Sequence, residues 1–107
     1  LNRCAFCVAG HTALSLKKKI LDEAEVQALR QTTPLSDKKF NALALFTQEV
    51  MNNKGAVSDD ELQAFFDSGY SEQQALEVVL GVALATLCNY SNNLAQTAIN
   101  PELEQYA

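Results

Sequence analysis

The spacing of hydrophobic residues predicts helices along the whole chain. The segment CAFCVAGHTALSLKKKIL, at positions 4–21, carries apolar residues at helical spacing and shows none of the alternation typical of a strand. A second, short helix is predicted at positions 22–30, because its acidic first turn complements the positive end of a helix dipole. Pro34 ends this pattern, and Ser36 or Asp37 can cap the helix that follows.

A third helix is predicted between positions 36 and 54, where apolar residues recur at helical intervals along one face. This stripe consists of Phe40, Leu43, Ala44, Thr47, Val50 and Met51. Gly55 follows the stripe and can adopt the left-handed conformation that often ends a helix.

Two further helices begin at capping sequences. Ser58 with Glu61 matches a capping box, and Ser71 with Gln74 matches another, because each pair has the spacing that this motif requires. The helix after Ser58 is expected to end at Gly69, and its apolar residues are Leu62, Phe65 and Phe66. The helix after Ser71 is predicted to be the longest in the chain.

The middle of this longest helix, ALEVVLGVALATLC, is apolar nearly all round, so we expect it to be a central helix buried in the core. Gly81 within it costs ~1 kcal/mol relative to alanine, which indicates that another helix or chain packs closely there. Asn100 and Pro101 are expected to end the ordered helical part. The predicted fold class is therefore all-α, a helical bundle around a long apolar central helix.

Composition and charge exclude several kinds of partner. The chain has 107 residues, which is enough for a single domain, and its net charge of −5 argues against a nucleic-acid partner. The only basic run, Lys17–Lys19, falls at a predicted helix end, where it complements the dipole. The longest uncharged apolar run, Val78–Cys88, is about half of the ~20 residues that span a membrane, so no membrane partner is predicted.

The cysteines suggest both a compartment and a chemistry. Their number is odd, and two of them form a CxxC, which favours a reducing, cytoplasmic location over a secreted disulfide framework. On a helix, Cys4, Cys7 and His11 fall within an arc of roughly 60°. A thiol at a helix start beside an imidazole is favoured as thiolate, which is the form that attacks peroxides and disulfides.

Other interpretations of these residues stay open at this point. Cys4 and Cys7 could be buried structural thiols beside an unrelated histidine. A zinc site would need a fourth ligand besides His11, and Cys88 or a carboxylate would have to supply it. Thioredoxin-like chemistry is disfavoured, because it normally follows a strand and no strand is predicted. Cys88 itself is expected to be a small buried hydrophobe within the long helix.

The segment CAFCVAGHT resembles the CxxCxxxH signature of the alkylhydroperoxidase D-like group in the carboxymuconolactone decarboxylase superfamily. The sequence from Ser58 to Leu103 is also similar to the second half of that family: a short helix, a glycine turn, a long apolar helix, an asparagine-rich end and a proline. The likeness therefore runs over most of the chain from Cys4 onward. It implies a single domain, residues 1–107, with the all-helical bundle of that family.

The resemblance implies a thiol-dependent peroxidase. Cys7 would be the peroxidatic thiol, and Cys4, expected to be the more accessible, would resolve it by forming the Cys4–Cys7 disulfide. His11 would assist Cys7 by hydrogen bonding or proton transfer. Neither a metal nor another cofactor is implied, and the partners would be a hydroperoxide and a thiol or dihydrolipoyl-type reductant. The family commonly forms trimers or hexamers with long apolar helices at the interfaces, so a homo-oligomer is expected.

Two alternatives to the peroxidase remain, a carboxymuconolactone decarboxylase-like lyase and a non-catalytic redox-sensing helical oligomer. Lyases of this superfamily do not depend on a CxxC, so the cysteine pair disfavours them.

The peroxidase group usually carries a glutamate about a dozen residues before its first cysteine, so we expect that acid in a helical segment preceding Leu1. Glu49 and Glu77 are weaker substitutes for it. The asparagines at positions 89, 92 and 93 could provide caps and interface hydrogen bonds or could line the redox pocket.

Overall fold

The computed structural model describes all of residues 1–107 and consists of helices and their connections, which confirms the all-α fold class. The five α-helices are α1 (Ala5–Lys17), α2 (Glu23–Gln31), α3 (Lys38–Asn52), α4 (Asp59–Asp67) and α5 (Glu72–Ala95). A 3-10 helix, Pro101–Tyr106, follows α5. The expectation that ordered helical structure ends at Asn100 and Pro101 is therefore wrong. Pro101 occupies the first turn of this last helix, where the missing amide proton of proline has no intrahelical partner to lose.

Side-chain caps start α2 and α3, and Asp22, which was expected within the first turn of α2, is its N-cap. Asp22 precedes α2 and shares a complete capping box with Glu25, because each side chain accepts the other's backbone N–H, at 2.8 Å and 3.1 Å. Asp37, not Ser36, caps α3 by accepting the backbone N–H of Phe40 at 2.9 Å. These bonds satisfy donors that a helix leaves unpaired in its first turn.

Ser58 and Ser71 cap α4 and α5 as predicted, but only Ser71 forms a complete capping box. Ser58 Oγ accepts the backbone N–H of Glu61 at 3.2 Å, and Ser71 exchanges two such bonds with Gln74. Gly55 and Gly69 have φ angles of +88° and +101°, a region that side chains disfavour, so glycine suits both turns. Local hydrogen bonds and backbone freedom thus determine these four helix boundaries.

The chain divides into two compact units, residues 1–33 with 85–107, and residues 34–84. In the first unit, α1 contacts both α2 and the 3-10 helix. Arg30 Nη1 donates to the carbonyl oxygen of Tyr106 at 2.7 Å, and Lys17 Nζ lies 5.7 Å from the centre of the Tyr106 ring. These two cationic side chains hold the C-terminal 3-10 helix in place.

The core of the second unit is an aromatic stack. Phe65 is 2% exposed, and its ring lies 4.1 Å from that of Phe46 and 4.5 Å from that of Tyr70, both nearly parallel. Val50 is buried beside them. Partly buried hydrophobic residues pack around this centre: Leu43, Val57, Leu62, Phe66, Ala75, Val78 and Val82.

The predicted stripe of α3 is partly wrong. Phe40, which belongs to it, is 42% exposed, whereas Phe46, which does not, is buried against Phe65. Val50 and Leu43 contact the core as predicted. Helical spacing allows several adjacent faces of α3 to be the buried one, and the ring of Phe65 on α4 selects the face that contains Phe46.

The expectation that α5 is buried is wrong. No residue of α5 is buried, and seven of its large apolar side chains are 46 to 88% exposed, while Val78 and Val82 are partly buried. A Cβ added at Gly81 would meet nothing within 4 Å, so no element of this chain packs closely there. Contrary to the run-length argument, α5 is long and apolar enough to cross a membrane, judged by length and composition alone.

Candidate redox site

The predicted site residues lie at the start of α1. Cys4 is the N-cap, with extended backbone angles of φ −93° and ψ 99°, and its Sγ accepts the backbone N–H of Cys7 at 3.1 Å. Sulfur therefore occupies the place that the oxygen of serine or aspartate usually takes at a helix start. Cys7 is the third residue of α1, so its side chain lies in the first turn, where unpaired N–H groups favour negative charge.

Cys4 and Cys7 are joined by a disulfide, and their Cα atoms are 5.2 Å apart. The pairing that the family resemblance implies is confirmed, and the structure shows the pair in its oxidised form. Cys4 is 3% exposed and Cys7 8% exposed, so the expectation that Cys4 is the more accessible thiol is wrong. Both sulfurs are shielded from solvent in this form of the protein.

His11 is one turn beyond Cys7 and is exposed to solvent. Its Nδ1 lies 2.9 Å from the backbone carbonyl oxygen of Cys7, not from the thiol group. Because a carbonyl oxygen can only accept, Nδ1 carries a proton, and in the neutral ring Nε2 is left as the proton acceptor. The contact therefore leaves Nε2, not Nδ1, as the free acceptor of the neutral ring.

Asn92, near the end of α5, lies against the sulfur of Cys7. Its Nδ2 donates to the carbonyl oxygen of Cys88 at 2.8 Å and is 3.6 Å from Cys7 Sγ. The sequence alone left this residue between a capping role and a place beside the reactive cysteines, and the structure places its amide beside Cys7. The asparagine-rich end of this apolar helix was the sequence signal that these residues have a special role. Only folding brings Asn92 next to Cys7, which is 85 positions away in sequence.

Two more asparagines of α5 hold the segment before Cys4. Asn2 Nδ2 donates to Asn89 Oδ1 at 3.0 Å, and Asn93 Nδ2 donates to the carbonyl oxygen of Asn2 at 2.9 Å. Asn2 is thus bound through both its side chain and its backbone. These bonds help to position Cys4, two residues further on, at the start of α1.

A shallow apolar groove of about 180 Å³ lies beside His11, between α1 and α2. Val8, Val26 and Leu29 contribute apolar surface to it, and His11 and Arg30 contribute polar groups. Neither cysteine lines this groove. His11 therefore contacts the backbone of Cys7 on one side and an open apolar surface on the other.

The remaining candidate residues lie outside the site. Cys88 is an exposed free thiol, so the expectation that it is buried is wrong. Glu49 accepts a hydrogen bond from Asn53, and Glu77 accepts one from Gln73, each from a residue four positions away in sequence. The structure contains no group of three or more histidine, cysteine, aspartate or glutamate side chains placed to hold a metal ion.

No protein-family model matches this chain, and no curated protein matches it either. The family resemblance drawn from the CxxCxxxH signature therefore stays a prediction.

Proposed function

We propose that this protein is a thiol-dependent peroxidase of the alkylhydroperoxidase D-like type, which reduces hydroperoxides through Cys7 and Cys4. The observation that carries the proposal is the Cys4–Cys7 disulfide in the first turn of α1. A redox-capable pair at a helix N-terminus suits this chemistry, because the dipole favours the thiolate of the attacking cysteine.

The reaction runs in three balanced steps. The Cys7 thiolate attacks one oxygen of the hydroperoxide, the O–O bond breaks, and the alkoxide takes up a proton and leaves as an alcohol, so that Cys7 becomes a sulfenic acid. The Cys4 thiol then attacks that sulfur, water leaves, and the disulfide forms. Two external thiols reduce the disulfide and are themselves oxidised to a disulfide.

His11 and Asn92 support the proposal by what they offer near Cys7. With Nδ1 bonded to the Cys7 carbonyl oxygen, His11 keeps Nε2 as a proton acceptor one turn from Cys7. In the proposed mechanism it accepts the thiol proton and returns it to the leaving alkoxide. The Asn92 amide donates toward Cys7 Sγ, and such a donor favours the charged form of sulfur. Proton transfer and thiolate stabilisation would thus come from α1 and α5 respectively.

The burial of both sulfurs limits the size of the reductant that can reach the disulfide. A small dithiol, or a dihydrolipoyl group on a flexible arm, can reach a sulfur that is under 10% exposed more easily than the surface of a folded protein can. A reducing cytoplasm would supply such thiols. Release of the Asn2 contacts with α5 would open the start of α1 during this step. We also propose that the protein acts as a homo-oligomer.

The proposal is tested by a Cys4→Ser variant treated with one equivalent of hydroperoxide in the absence of reductant. Without its resolving partner, Cys7 should remain as a sulfenic acid, which dimedone traps and peptide mass spectrometry locates. The wild-type protein should instead form the Cys4–Cys7 disulfide and show no adduct. An adduct found only on Cys88, or none at all, would contradict the proposal.

A redox sensor is the second candidate, because shielding of both sulfurs would slow reduction of the disulfide. Steady-state consumption of cumene hydroperoxide with dithiothreitol separates the two functions. Many turnovers per chain indicate a peroxidase. One equivalent consumed, followed by a stable disulfide, indicates a sensor.

Asn92→Ala is expected to slow the reaction of Cys7. Loss of a hydrogen bond to a charged sulfur removes about 1 kcal/mol or more of stabilisation, so the thiolate fraction at neutral pH should fall about fivefold. The rate of alkylation of Cys7 by iodoacetamide, measured against pH in the reduced protein, reports this fraction directly. Asn53→Ala is the matched control, because its amide bonds to Glu49 and to neither cysteine. Equal rates in the Asn92 variant and the wild type would exclude this role.

A further inference from the structure

A cavity of about 470 Å³ lies between α3 and α4, and neither cysteine of the redox pair lines it. All of its lining residues belong to the compact unit of residues 34–84. Its volume falls within the range of sites that bind small molecules, about 300–1,000 Å³. The groove beside His11, at about 180 Å³, is below that range. The size of the cavity therefore suits a small ligand.

The helices α3 and α4 run antiparallel along the cavity, and contacts at two points define their register. The ring of Phe46 stacks on that of Phe65 at 4.1 Å. Further back along α3, the carbonyl oxygen of Lys39 accepts a hydrogen bond from Tyr70 Oη, beyond the end of α4, at 2.8 Å. The end of α3 therefore lies beside the start of α4.

Two carboxylates lie at this end of the cavity. Glu49 is one turn after Phe46, and Glu61 is one turn before Phe65. Both carboxylates line the cavity, and both side chains are partly buried. The only basic residue that lines the cavity, Lys38, is ~16 Å away from Glu49 along α3. The two negative charges are therefore close to each other without a basic residue at their end of the cavity.

The middle of the cavity is apolar. Ala42 and Leu45 of α3 and Ala64 of α4 contribute to its wall, and Leu45 is 53% exposed. The buried rings of Phe46 and Phe65 also line it. A ligand that fills this part replaces water with contacts to apolar side chains, which favours an apolar body.

The uncharged polar residues that line the cavity already have partners within the chain. Asn41 Oδ1 accepts the backbone N–H of Leu35 at 2.9 Å. Ser68 Oγ donates to the carbonyl oxygen of Ala64 at 3.0 Å. The carboxylates are therefore the polar groups of this cavity that most need a partner.

We propose that this cavity binds a small organic cation, a primary amine or a guanidinium carried on an apolar body. An ammonium group has three donors, so it can form charge-assisted hydrogen bonds to Glu49 and Glu61 at the same time. Its positive charge also offsets the repulsion between the two carboxylates. The apolar body lies against Ala42, Leu45 and Ala64. The net charge of −5 favours the approach of a cation.

A divalent metal ion is the other cation that two carboxylates attract, and this site suits it less well. Calcium takes about six to eight oxygen ligands, whereas the cavity offers it two carboxylates. One of these, Glu49 Oε2, already accepts a hydrogen bond from Asn53 at 2.9 Å. The apolar wall also offers nothing to a hydrated ion, whereas it adds contacts to an organic cation.

Titration of the ¹⁵N-labelled full chain with 4-phenylbutylamine, followed by NMR, tests the proposal. Amide signals of residues 42–49 and 61–64 should shift, with a Kd on the order of a millimolar for a ligand of this size. 4-Phenylbutan-1-ol and 4-phenylbutyrate carry the same apolar body without the cation and should bind at least about tenfold more weakly. Equal binding of the alcohol, or no shifts at these residues up to about 10 mM amine, would overturn the proposal.

Glu49→Gln and Glu61→Gln each remove one charge at nearly constant size and should weaken amine binding about tenfold. Glu77→Gln is the matched control, because Glu77 does not line the cavity and bonds to Gln73. It should bind the amine like the wild type. An equal loss in all three variants would show a non-specific effect of net charge and overturn the proposal. Calcium chloride that shifts the same residues at lower concentration than the amine would overturn it too.

The comparison of the amine with the alcohol uses the wild-type protein alone. It therefore decides between a cation site and a plain apolar cleft even if neither glutamine variant folds. Circular dichroism of the variants shows whether their binding data can be used.

Discussion

Replacing Cys7 with serine should abolish hydroperoxide turnover, lowering the rate at least about a thousandfold relative to the wild type. A serine hydroxyl is almost entirely protonated at neutral pH and cannot form a sulfenic acid or a disulfide with Cys4. The helix start should survive, because Cys4 Sγ accepts a backbone N–H of residue 7 that serine retains. The measurement is consumption of cumene hydroperoxide with dithiothreitol, after subtraction of the rate of dithiothreitol alone.

Cys88→Ser is the control for this variant, because it removes the free, exposed thiol and leaves the paired cysteines in place. It should consume hydroperoxide at the wild-type rate. Turnover that survives Cys7→Ser would disprove the proposed peroxidase mechanism. Turnover lost in both variants would indicate that Cys88 takes part in the reaction.

The second large effect is on stability. Phe65→Ala should lower the free energy of unfolding by about 3–5 kcal/mol, the usual result of removing a fully buried aromatic side chain. Phe65 is 2% exposed and stacks on both Phe46 and Tyr70, so its loss leaves a cavity and breaks two ring contacts. Urea unfolding followed by circular dichroism measures the change.

Phe40→Ala is the matched control, since Phe40 is 42% exposed and lies outside the aromatic stack. It should change the free energy of unfolding by less than about 1 kcal/mol. An equal loss in both variants would show that the Phe65 stack is not the centre of this unit. Both variants replace phenylalanine with alanine, so the difference between them measures the effect of burial.

Most helix boundaries could be predicted because their signals are local. The capping pairs Ser58 with Glu61 and Ser71 with Gln74 make their hydrogen bonds within one turn, so spacing along the chain is sufficient to recognise them. Gly69 adopts a positive φ, and a glycine that follows an apolar helical pattern is itself a local signal for the end of a helix. The C-terminal 3-10 helix gave no such signal, because its order depends on Arg30 and Lys17, far away in sequence.

The buried faces could be predicted only in part. Hydrophobic spacing identifies α3 as amphipathic, yet it cannot choose between adjacent apolar faces, and the packing of Phe46 against Phe65 made that choice. Because the middle of α5 is apolar on nearly all sides, we predicted that this helix would be buried. A continuous apolar surface, however, does not reveal whether the chain itself or another molecule covers it, and in this chain α5 is exposed.

By itself, the sequence determined the all-α class, the positions of α1 to α5, and the placing of Cys4, Cys7 and His11 on one helix start, because these depend on neighbours within one or two turns. Only the tertiary structure decided that both cysteines are buried, that His11 bonds to a backbone carbonyl, and that Asn92 lies beside Cys7. Those features depend on which surfaces meet after folding. Residues 85 positions apart carry no local sign that they will be neighbours.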